Sequence, residues 1–424
     1  MENQMRSIVL LVALILAGVP AVVAAPTKQD VINTYSDIAV AKYEDSLTVA
    51  KALQVAVDKL IAKPTSANLE AARAAWIAAR VPYQQTEVYR FGNAVVDDWE
   101  GRVNAWPLDE GMIDYVKGDY GAESEQNELY VANIVASKKI SLSGRKVDAS
   151  TINKALLVDT LHEAGGVEAN VATGYHAIEF LLWGQDLNGT KPGKGNRPAT
   201  DFDTNACTGG NCDRRAKYLK VVTDILIDDL NWIIRQWKAG GAARRTLLSG
   251  DGTQGIIAIF TGMGSLSYGE LAGERMKLGL LLHDPEEEHD CFSDNTHNSH
   301  YYNVIGVQNI YLGRYKRLDG SMVEGASPAD LVKAADGTVD ARMRKSLASS
   351  VERFSAIVKR AETIEAYDQM IGEGNAEGNA VVSQAIDALL EQTRDIQRSI
   401  SALKLKPIEF EGSDSLDDPS RVAQ

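Results

Sequence analysis

Apolar side chains recur through most of the chain at intervals of three or four residues, the spacing of one face of an α-helix. The first such run covers residues 28–62 and ends at Lys63-Pro64, a pair that stops a helix. Similar runs predict further helices over about residues 66–90, 152–163, 171–183, 218–238, 254–282, 328–367 in part and 380–403. Alternating stretches such as 139–143 are too short for more than a minor hairpin. The pattern therefore predicts an all-α protein.

The longest interruption of the helical pattern is residues 188–214, which are rich in Gly, Pro, Asn and Asp. A chain of 424 residues has the length of two ordinary domains. We therefore predict an N-terminal helical bundle in residues 25–187, a linker in 188–214 and a C-terminal helical bundle in 215–410. The polar and acidic composition of residues 411–424 predicts a disordered tail.

Residues 1–24 have the features of an export signal. Arg6 gives a weakly positive start, residues 8–19 form an apolar stretch, and residues 22–24 (Val-Val-Ala) supply the small side chains of a cleavage site. The apolar stretch is shorter than the roughly 20 residues that span a bilayer, so we expect no transmembrane anchor. No cysteine follows this stretch, which argues against a lipid anchor. We expect cleavage after Ala24 and an exported protein, in the periplasm or at the outer cell surface.

The formal net charge is -14 and the pI is near 5.0, and no stripe of Lys and Arg runs along any segment. Binding to a phosphate backbone needs such positive charge, so nucleic acid is excluded as a partner. Cys207 and Cys212 flank Thr-Gly-Gly-Asn in the linker, where an oxidising compartment would let them form a disulfide. Cys291 is left without a partner of this kind.

The most informative motif is Gly174-Tyr-His-Ala-Ile-Glu179, which precedes the apolar residues 180–183. His176 and Glu179 are three residues apart, so on a helix their side chains lie on one face. The apolar surroundings predict that both are buried, and a buried charge needs a partner. A hydrogen bond between the two side chains would satisfy that need, and so would a shared metal ion.

Two other predicted helices carry charged side chains where apolar ones are normally found. In residues 66–90, one face presents Trp76, Arg80, Tyr83, Glu87 and Arg90. This face is a solvated surface, or it forms an internal Arg–Glu ion pair, or it holds Glu87 as a carboxylate ligand between arginines. In residues 254–282, Glu270 and Glu274 are four apart and therefore share a face. The glycines of that helix indicate that another helix or a ligand approaches its backbone closely.

Four of the six histidines lie between His283 and His300. The abundance of Asp, Asn and Glu in this stretch predicts a solvated loop for most of its charges. We expect residues 293–297 to turn inward, because the preceding Phe292 is apolar. The chain has no His-Glu-x-x-His motif of zinc peptidases, so the His–Glu pair of the first motif needs at least one metal ligand from elsewhere.

Taken together, these motifs resemble the signature of the imelysin family, in its imelysin and iron-regulated protein A type. The resemblance covers the chain in order after the signal, and its parts are residues 76–92, Trp106-Pro-Leu108, the motif at 174–179, residues 269–276 and residues 292–297. It implies an exported protein with two helical bundles packed around a shared cleft. It also implies that the motif lies at their junction, between the helix of Glu87 and the helix of Glu270 and Glu274.

The family takes its name from a peptidase assignment, and its other associations are iron-regulated expression and periplasmic iron uptake, in which the motif binds metal. A peptidase needs a metal with an open position and a general base. We assign no catalytic residue, because Glu179 as a metal ligand is not free to act as the base. Metal capture needs only oxygen-rich ligands and an imidazole, which suits iron better than zinc. We therefore predict a non-catalytic protein for iron capture and uptake, with an imelysin-type metallopeptidase at the same site as the alternative.

The expected metal ligands are His176, Glu179 and Glu87. The side chains expected to line the cleft or to support the ligands are Gly174, Arg80, Tyr83, Arg90, Glu270, Glu274, Arg275 and Asp294. Of these, Arg80 and Arg275 would orient carboxylates or bind an anionic chelator of the metal. The expected partners are a transition metal ion or its chelate, and a membrane component of iron uptake. A third interpretation, a cell-surface adhesion or polysaccharide-binding protein, gives the His–Glu pair a structural role only.

Overall fold

The computed structural model describes residues 25–121, 123, 124 and 126–422, so the predicted export signal lies outside the described residues. In chain order, the helices are α1 (Lys28–Ala62), α2 (Ser66–Gln84), α3 (Ala94–Asn104), α4 (Glu110–Ile113), α5 (Lys154–Leu156), α6 (Gly174–Trp183), α7 (Cys212–Trp237), α8 (Ala242–Leu247), α9 (Thr253–Ser265), α10 (Leu278–Leu282), α11 (Thr296–Leu312), α12 (Pro328–Ala335), α13 (Gly337–Thr363), α14 (Tyr367–Ile371), α15 (Ala376–Ala402) and α16 (Asp414–Asp417). A π-helical segment, Leu266–Lys277, joins α9 to α10. Two antiparallel hairpins pair β1 (Lys139–Leu142) with β2 (Arg145–Asp148), and β3 (Arg314–Lys316) with β4 (Met322–Glu324). The all-α fold class is confirmed.

Helix α1 begins and ends where its sequence pattern predicts. The Thr27 hydroxyl accepts a hydrogen bond from the backbone N–H of Asp30, and the Asp30 carboxylate accepts one from the backbone N–H of Thr27. This capping box satisfies two of the free N–H groups at the start of the helix. The apolar face of α1 is buried against α2 and α7, and the helix ends at Ala62, just before Lys63-Pro64.

Helix α2 is shorter than its sequence pattern predicts, since it ends at Gln84 and not near Arg90. Pro82 lies in its last turn, where the ring removes a backbone donor and prevents regular continuation. A separate 3₁₀ turn, Glu87–Tyr89, follows. The five-residue face predicted for one straight helix is therefore divided, with Glu87 and Arg90 beyond the end of α2.

The helix that follows the 188–214 segment packs on the N-terminal part of the chain. Helix α7 lies along α1 and α6, and its apolar residues belong to the same hydrophobic core as theirs. Cys207 and Cys212 form a disulfide at the start of α7. Residues on both sides of the 188–214 segment thus share one core, while the division of the chain into two domains stays a prediction.

A smaller hydrophobic cluster joins the π-helical segment to the C-terminal helices. It contains Leu271 and Met276 of the π-helical segment, Phe354 of α13, Met370 of α14 and Leu389 of α15. This packing fixes the π-helical segment, which carries Glu270 and Arg275, against the C-terminal part of the chain.

The chain after α15 returns over the π-helical segment, in contrast to the disorder that its polar composition predicts for residues 411–424. The Phe410 ring covers Gly264, the backbone of Glu411 lies against Gly269, and the Ser415 hydroxyl donates to the carbonyl of Gly273 at 3.0 Å. The three glycines leave room for this approach because they have no Cβ. The close partner expected at these glycines is therefore the protein's own C-terminal segment. Among the residues described, no helix is long and apolar enough to cross a membrane.

Candidate metal centre

The motif residues lie on α6, which is buried along its whole length. The helix starts at Gly174, whose φ of +86° and close contact with the backbone of Val103 both require glycine. His176 and Glu179 are 2% and 0% exposed, as the apolar sequence of this helix predicts. The first two turns of α6 therefore carry an imidazole and a carboxylate into the protein interior.

Glu179 binds the imidazole on one side and a loop on the other. Its Oε2 is 3.1 Å from Nδ1 of His176. Its Oε1 accepts hydrogen bonds from the backbone N–H of Ser293 at 3.0 Å and from the Ser293 hydroxyl at 2.6 Å. Burial and the charge of Asp290 raise the pKa of Glu179 well above its usual value, against hydrogen bonds from Ser293 and the charge of Arg80. In its ionised form, Glu179 keeps the imidazole proton on Nδ1 and leaves the lone pair of Nε2 free for a metal. The Nε2 atom is buried and has no hydrogen-bond partner in the described part of the chain.

The loop before α11 brings two further donors to His176. One ligand atom from each of His176, His289 and Asp290 lies within 4.8 Å of the other two, and all three residues are buried. The rings of His176 and His289 are 4.7 Å apart between centroids. Neither ring nitrogen of His289 has a hydrogen-bond partner among the described residues. We call these three residues the His–His–Asp group.

The charges of the His–His–Asp group suit a cation. Burial lowers the pKa of His176 and of His289 well below the usual value, and nearby arginines lower both further, so the imidazoles are neutral. Burial raises the pKa of Asp290, but the Arg80 guanidinium and hydrogen bonds from neighbouring side chains outweigh it and hold that pKa below its usual value. The group therefore offers two neutral imidazoles and one carboxylate anion.

Asp290 is fixed from several sides. Nη2 of Arg80 donates to Oδ1 of Asp290 at 2.7 Å, and both side chains are buried. Nδ2 of Asn295 donates to Oδ2 at 2.9 Å, and the Ser299 hydroxyl donates to the same oxygen. The Arg80 guanidinium also packs against Trp76, at 5.4 Å from the ring centroid. Arg80 thus contacts a carboxylate, and its partner is Asp290.

Sequence reasoning missed His289 and Asp290, which it placed in a solvated loop. The loop turns inward because Phe292 packs against Phe180 of α6, at 5.2 Å between ring centroids, and because Ser293 binds Glu179. The inward turn predicted for residues 293–297 is observed, but it begins earlier than expected, at the buried Glu288. The concentration of histidines in this stretch was the available signal.

Glu87 belongs to an ion-pair network beside the His–His–Asp group. Its Oε2 accepts from Nη2 of Arg275 at 2.8 Å and from Nδ2 of Asn104 at 3.3 Å, while its Oε1 is buried without a partner among the described residues. Arg275 also contacts Oε1 of Glu270 at 2.6 Å, and Nη1 of Arg90 lies 3.4 Å from that oxygen. Asn104 in turn accepts from Arg80, so hydrogen bonds connect this network to Asp290.

Glu274 does not share this network with Glu270. The two residues lie in the π-helical segment, in which Glu270 pairs with Arg275, five residues further along. Glu274 is half-buried and lies near Glu287, whose pKa is raised by burial and by the charges of Asp284 and Glu274. Only Glu270 joins the ion-pair network, and the expectation that the two glutamates share a face stays a prediction.

Two other predicted site residues line the surroundings of the group. Tyr83 is buried and packs on Tyr175, at 4.7 Å between ring centroids. Asp294 has a φ of +53°, and burial and the charges of other carboxylates raise its pKa to about 8.

Two clefts reach the His–His–Asp group. One has a volume of about 380 Å³ and is lined by His176 and His289 together with acidic residues that include Glu110 and Glu286. The other has a volume of about 270 Å³ and is lined by His289 and by charged residues of the ion-pair network. Trp106 lines both clefts, packs on His289 and donates to the carbonyl of Glu288 at 2.9 Å. A small ion or an ion with a small ligand can therefore approach His289 from either side.

Comparison with known proteins agrees with the resemblance seen in the motifs. The family model Imelysin (Peptidase_M75) matches residues 39–396. Iron-regulated protein A of Synechococcus elongatus is 24% identical over 304 residues, which make up 69% of this chain and 66% of that protein. The match thus spans just under two thirds of the length of that curated relative. A crystal structure of a protein assigned as an iron-regulated protein A precursor, from Parabacteroides distasonis, shares the fold with a TM-score of 0.62 and 20% identity, over 90% of this chain and 97% of that one. Because the family model matches most of the sequence, this chain belongs to the imelysin family.

Proposed function

We propose that this protein is an exported protein that captures a transition metal, with iron as the favoured ion, at His176, His289 and Asp290. The observation that supports this most directly is the convergence of three buried donor atoms within 4.8 Å of one another. Unpartnered imidazole nitrogens in a protein interior are unfavourable, and a metal ion would satisfy them.

The donor set supports iron. Two imidazoles and one carboxylate on one face of a metal, with open positions opposite, are typical of non-haem Fe(II) sites. The relative from Synechococcus elongatus is named for regulation by iron, which agrees with this choice. Zinc uses a similar donor set of two imidazoles and a carboxylate, so the ligands alone favour iron only modestly.

Within this proposal, the roles of the predicted ligands change. Glu179 orients His176 and keeps its proton on Nδ1, since both carboxylate oxygens already have partners. Glu87 supports the site through Asn104 and Arg80, and its free oxygen is a candidate for a further donor in this network. Arg275 and Arg90 line the smaller cleft, where they would contact an anionic chelator that arrives with the metal.

The reaction proposed is coordination without covalent chemistry, followed by transfer to a membrane component of iron uptake. A peptidase at the same site is the second candidate, because two imidazoles and a carboxylate with open positions also serve zinc peptidases. Glu179 is poorly placed to be its general base, since hydrogen bonds occupy both oxygens. Capture therefore requires fewer assumptions than peptide hydrolysis.

The test is metal content and metal binding of the full chain without its signal. We expect one iron per chain by elemental analysis, and loss of that iron in His176→Ala and in His289→Ala. His162→Ala is the matched control, because the His162 side chain is largely buried but lies outside the group. This variant should keep its iron. Circular dichroism shows whether each variant is folded. Iron retained in both folded variants would refute the site, and peptide cleavage that is lost on chelation would favour the peptidase.

A further inference from the structure

A second group of acidic side chains surrounds a small cavity that the proposed function does not use. Asp186, Glu286, Glu288 and Asp368 line it, and we call these four residues the acid pocket. The space open to the centre of a water molecule is about 10 Å³, which is room for about one water or one monatomic ion. The cavity is therefore too small for an organic ligand.

Two carboxylates of the acid pocket are buried without full hydrogen bonding. Asp368 is 2% exposed, and neither of its carboxylate oxygens has a partner among the described residues. Glu288 is 1% exposed; its Oε2 accepts from the Thr296 hydroxyl at 3.1 Å, and its Oε1 has no partner there. Removing a carboxylate from water without compensation is costly, so this arrangement indicates a positive charge that binds between them.

The neighbouring side chains add negative charge to the acid pocket. Burial and the charge of Asp186 raise the pKa of Asp368 to about 7. Burial and the charges of Asp368 and Asp186 raise the pKa of nearby Asp294, and the charge of Lys194 opposes them. Carboxylates from three separate chain segments therefore repel one another across a cavity of ionic size.

We propose that the acid pocket binds a hard divalent cation, and that this ion is calcium. The pocket offers mainly carboxylate oxygens, which calcium prefers, and the one thiol in its wall, that of Cys291, is a soft donor that calcium does not use. Among the described residues only the His–His–Asp group brings three donors within 4.8 Å, so the oxygens of the acid pocket are more widely spaced. Since two oxygens bound to one calcium ion are at most about 5 Å apart, some of its six to eight ligands here would be backbone carbonyls or waters, which calcium also takes.

A calcium ion at this place would hold together three segments of the chain. Asp186 follows α6, Glu286 and Glu288 precede the His–His–Asp residues of the loop, and Asp368 lies on α14. Glu288 is adjacent to His289, so the ion would fix the loop that carries two of the three proposed transition-metal ligands. Calcium would thereby stabilise the transition-metal site without taking part in it.

The experiment uses the full chain without its signal, stripped with a chelator, and titrates it with Ca²⁺ by calorimetry and with Tb³⁺ by luminescence. Tb³⁺ is a luminescent substitute for Ca²⁺. The ring of Tyr367 is next to Asp368 in the chain, and burial and the charge of Glu288 raise the pKa of Tyr367, so this ring would sensitise the Tb³⁺ emission. We expect saturable binding of one ion, at least tenfold weaker in Asp368→Asn and in Asp186→Asn. Asp186 is less buried than Asp368, so Asp186→Asn should fold even where Asp368→Asn does not.

Two controls separate the acid pocket from the rest of the molecule. Asp229→Asn removes another buried carboxylate with an unpartnered oxygen, outside the pocket, and should bind Ca²⁺ like the natural chain. His176→Ala should also keep Ca²⁺ binding, even where it abolishes iron binding, so the two proposals can fail separately. Unchanged Ca²⁺ affinity in both pocket variants, or no saturable binding by the natural chain at millimolar Ca²⁺, would overturn the proposal and indicate that protons alone neutralise these carboxylates.

Discussion

Replacement of Glu179 by Gln tests whether this residue orients His176 or binds the metal itself. In the natural chain, Oε1 accepts two hydrogen bonds from Ser293, and Oε2 lies 3.1 Å from Nδ1 of His176. The single oxygen of Gln would stay with Ser293, so its NH₂ group would face Nδ1. Two donors cannot face each other, so the imidazole proton would move to Nε2, the nitrogen proposed to bind the metal.

The expected loss follows from the energy of holding a histidine in the correct tautomer. Removal of such a supporting partner weakens metal affinity by about 10-fold to 100-fold. That range corresponds to about 1.4–2.8 kcal/mol of binding free energy. Folding should change little, because Gln has nearly the shape of Glu and keeps the contact with Ser293.

The assay is anaerobic calorimetry with Fe(II), with the unfolding midpoint measured beside it. Glu100→Gln is the matched control, since Glu100 is a buried carboxylate that pairs with Arg90 outside the His–His–Asp group. An unchanged affinity in Glu179→Gln would refute the orienting role. Complete loss of binding, as expected for His176→Ala, would instead make Glu179 a direct ligand, as the sequence motif first suggested.

Three further predictions concern stability. Arg80→Gln leaves the buried Asp290 anion without its cation, so the free energy of unfolding should fall by about 3–5 kcal/mol in urea titrations, and bound metal should restore part of it. Burial raises the pKa of Asp229 to about 6, so the folded state holds that proton more tightly; the stability of the natural chain relative to Asp229→Asn should be highest below pH 4 and should fall as pH rises through 6. Gly269→Ala places a Cβ against the C-terminal segment and should cost about 1–3 kcal/mol, whereas Gly337→Ala, in open space, should cost almost nothing in the same thermal melts.

The sequence predicted those features that depend on local periodicity. Helix α1 begins and ends as its pattern indicates, because its cap and its Pro64 stop act within a few residues. The burial of His176 and Glu179 followed from the apolar composition of α6 alone. The hairpin at residue 139 was likewise visible as a short alternation.

Local rules failed where the backbone departs from the ideal helix. Pro82 ends α2 early, which moves Glu87 from the predicted face into a pair with Arg275. In the π-helical segment, Glu270 pairs with Arg275, while Glu274 stays outside that network. Neither departure has a periodic signal, because each concerns only a few turns.

By itself, the sequence determined that this is an all-α member of the imelysin family with a buried His–Glu motif. The helices and the burial of the motif follow from side chains close together in the chain, and the family follows from short motifs along it. Only the tertiary structure decided what meets that motif. His289 and Asp290 lie more than a hundred residues after His176, in a stretch whose charges resemble those of a solvated loop. Contacts between distant segments explain this: Phe292 packs on Phe180, which turns the loop inward, and Arg80 compensates the burial of the Asp290 charge. No local pattern records such contacts.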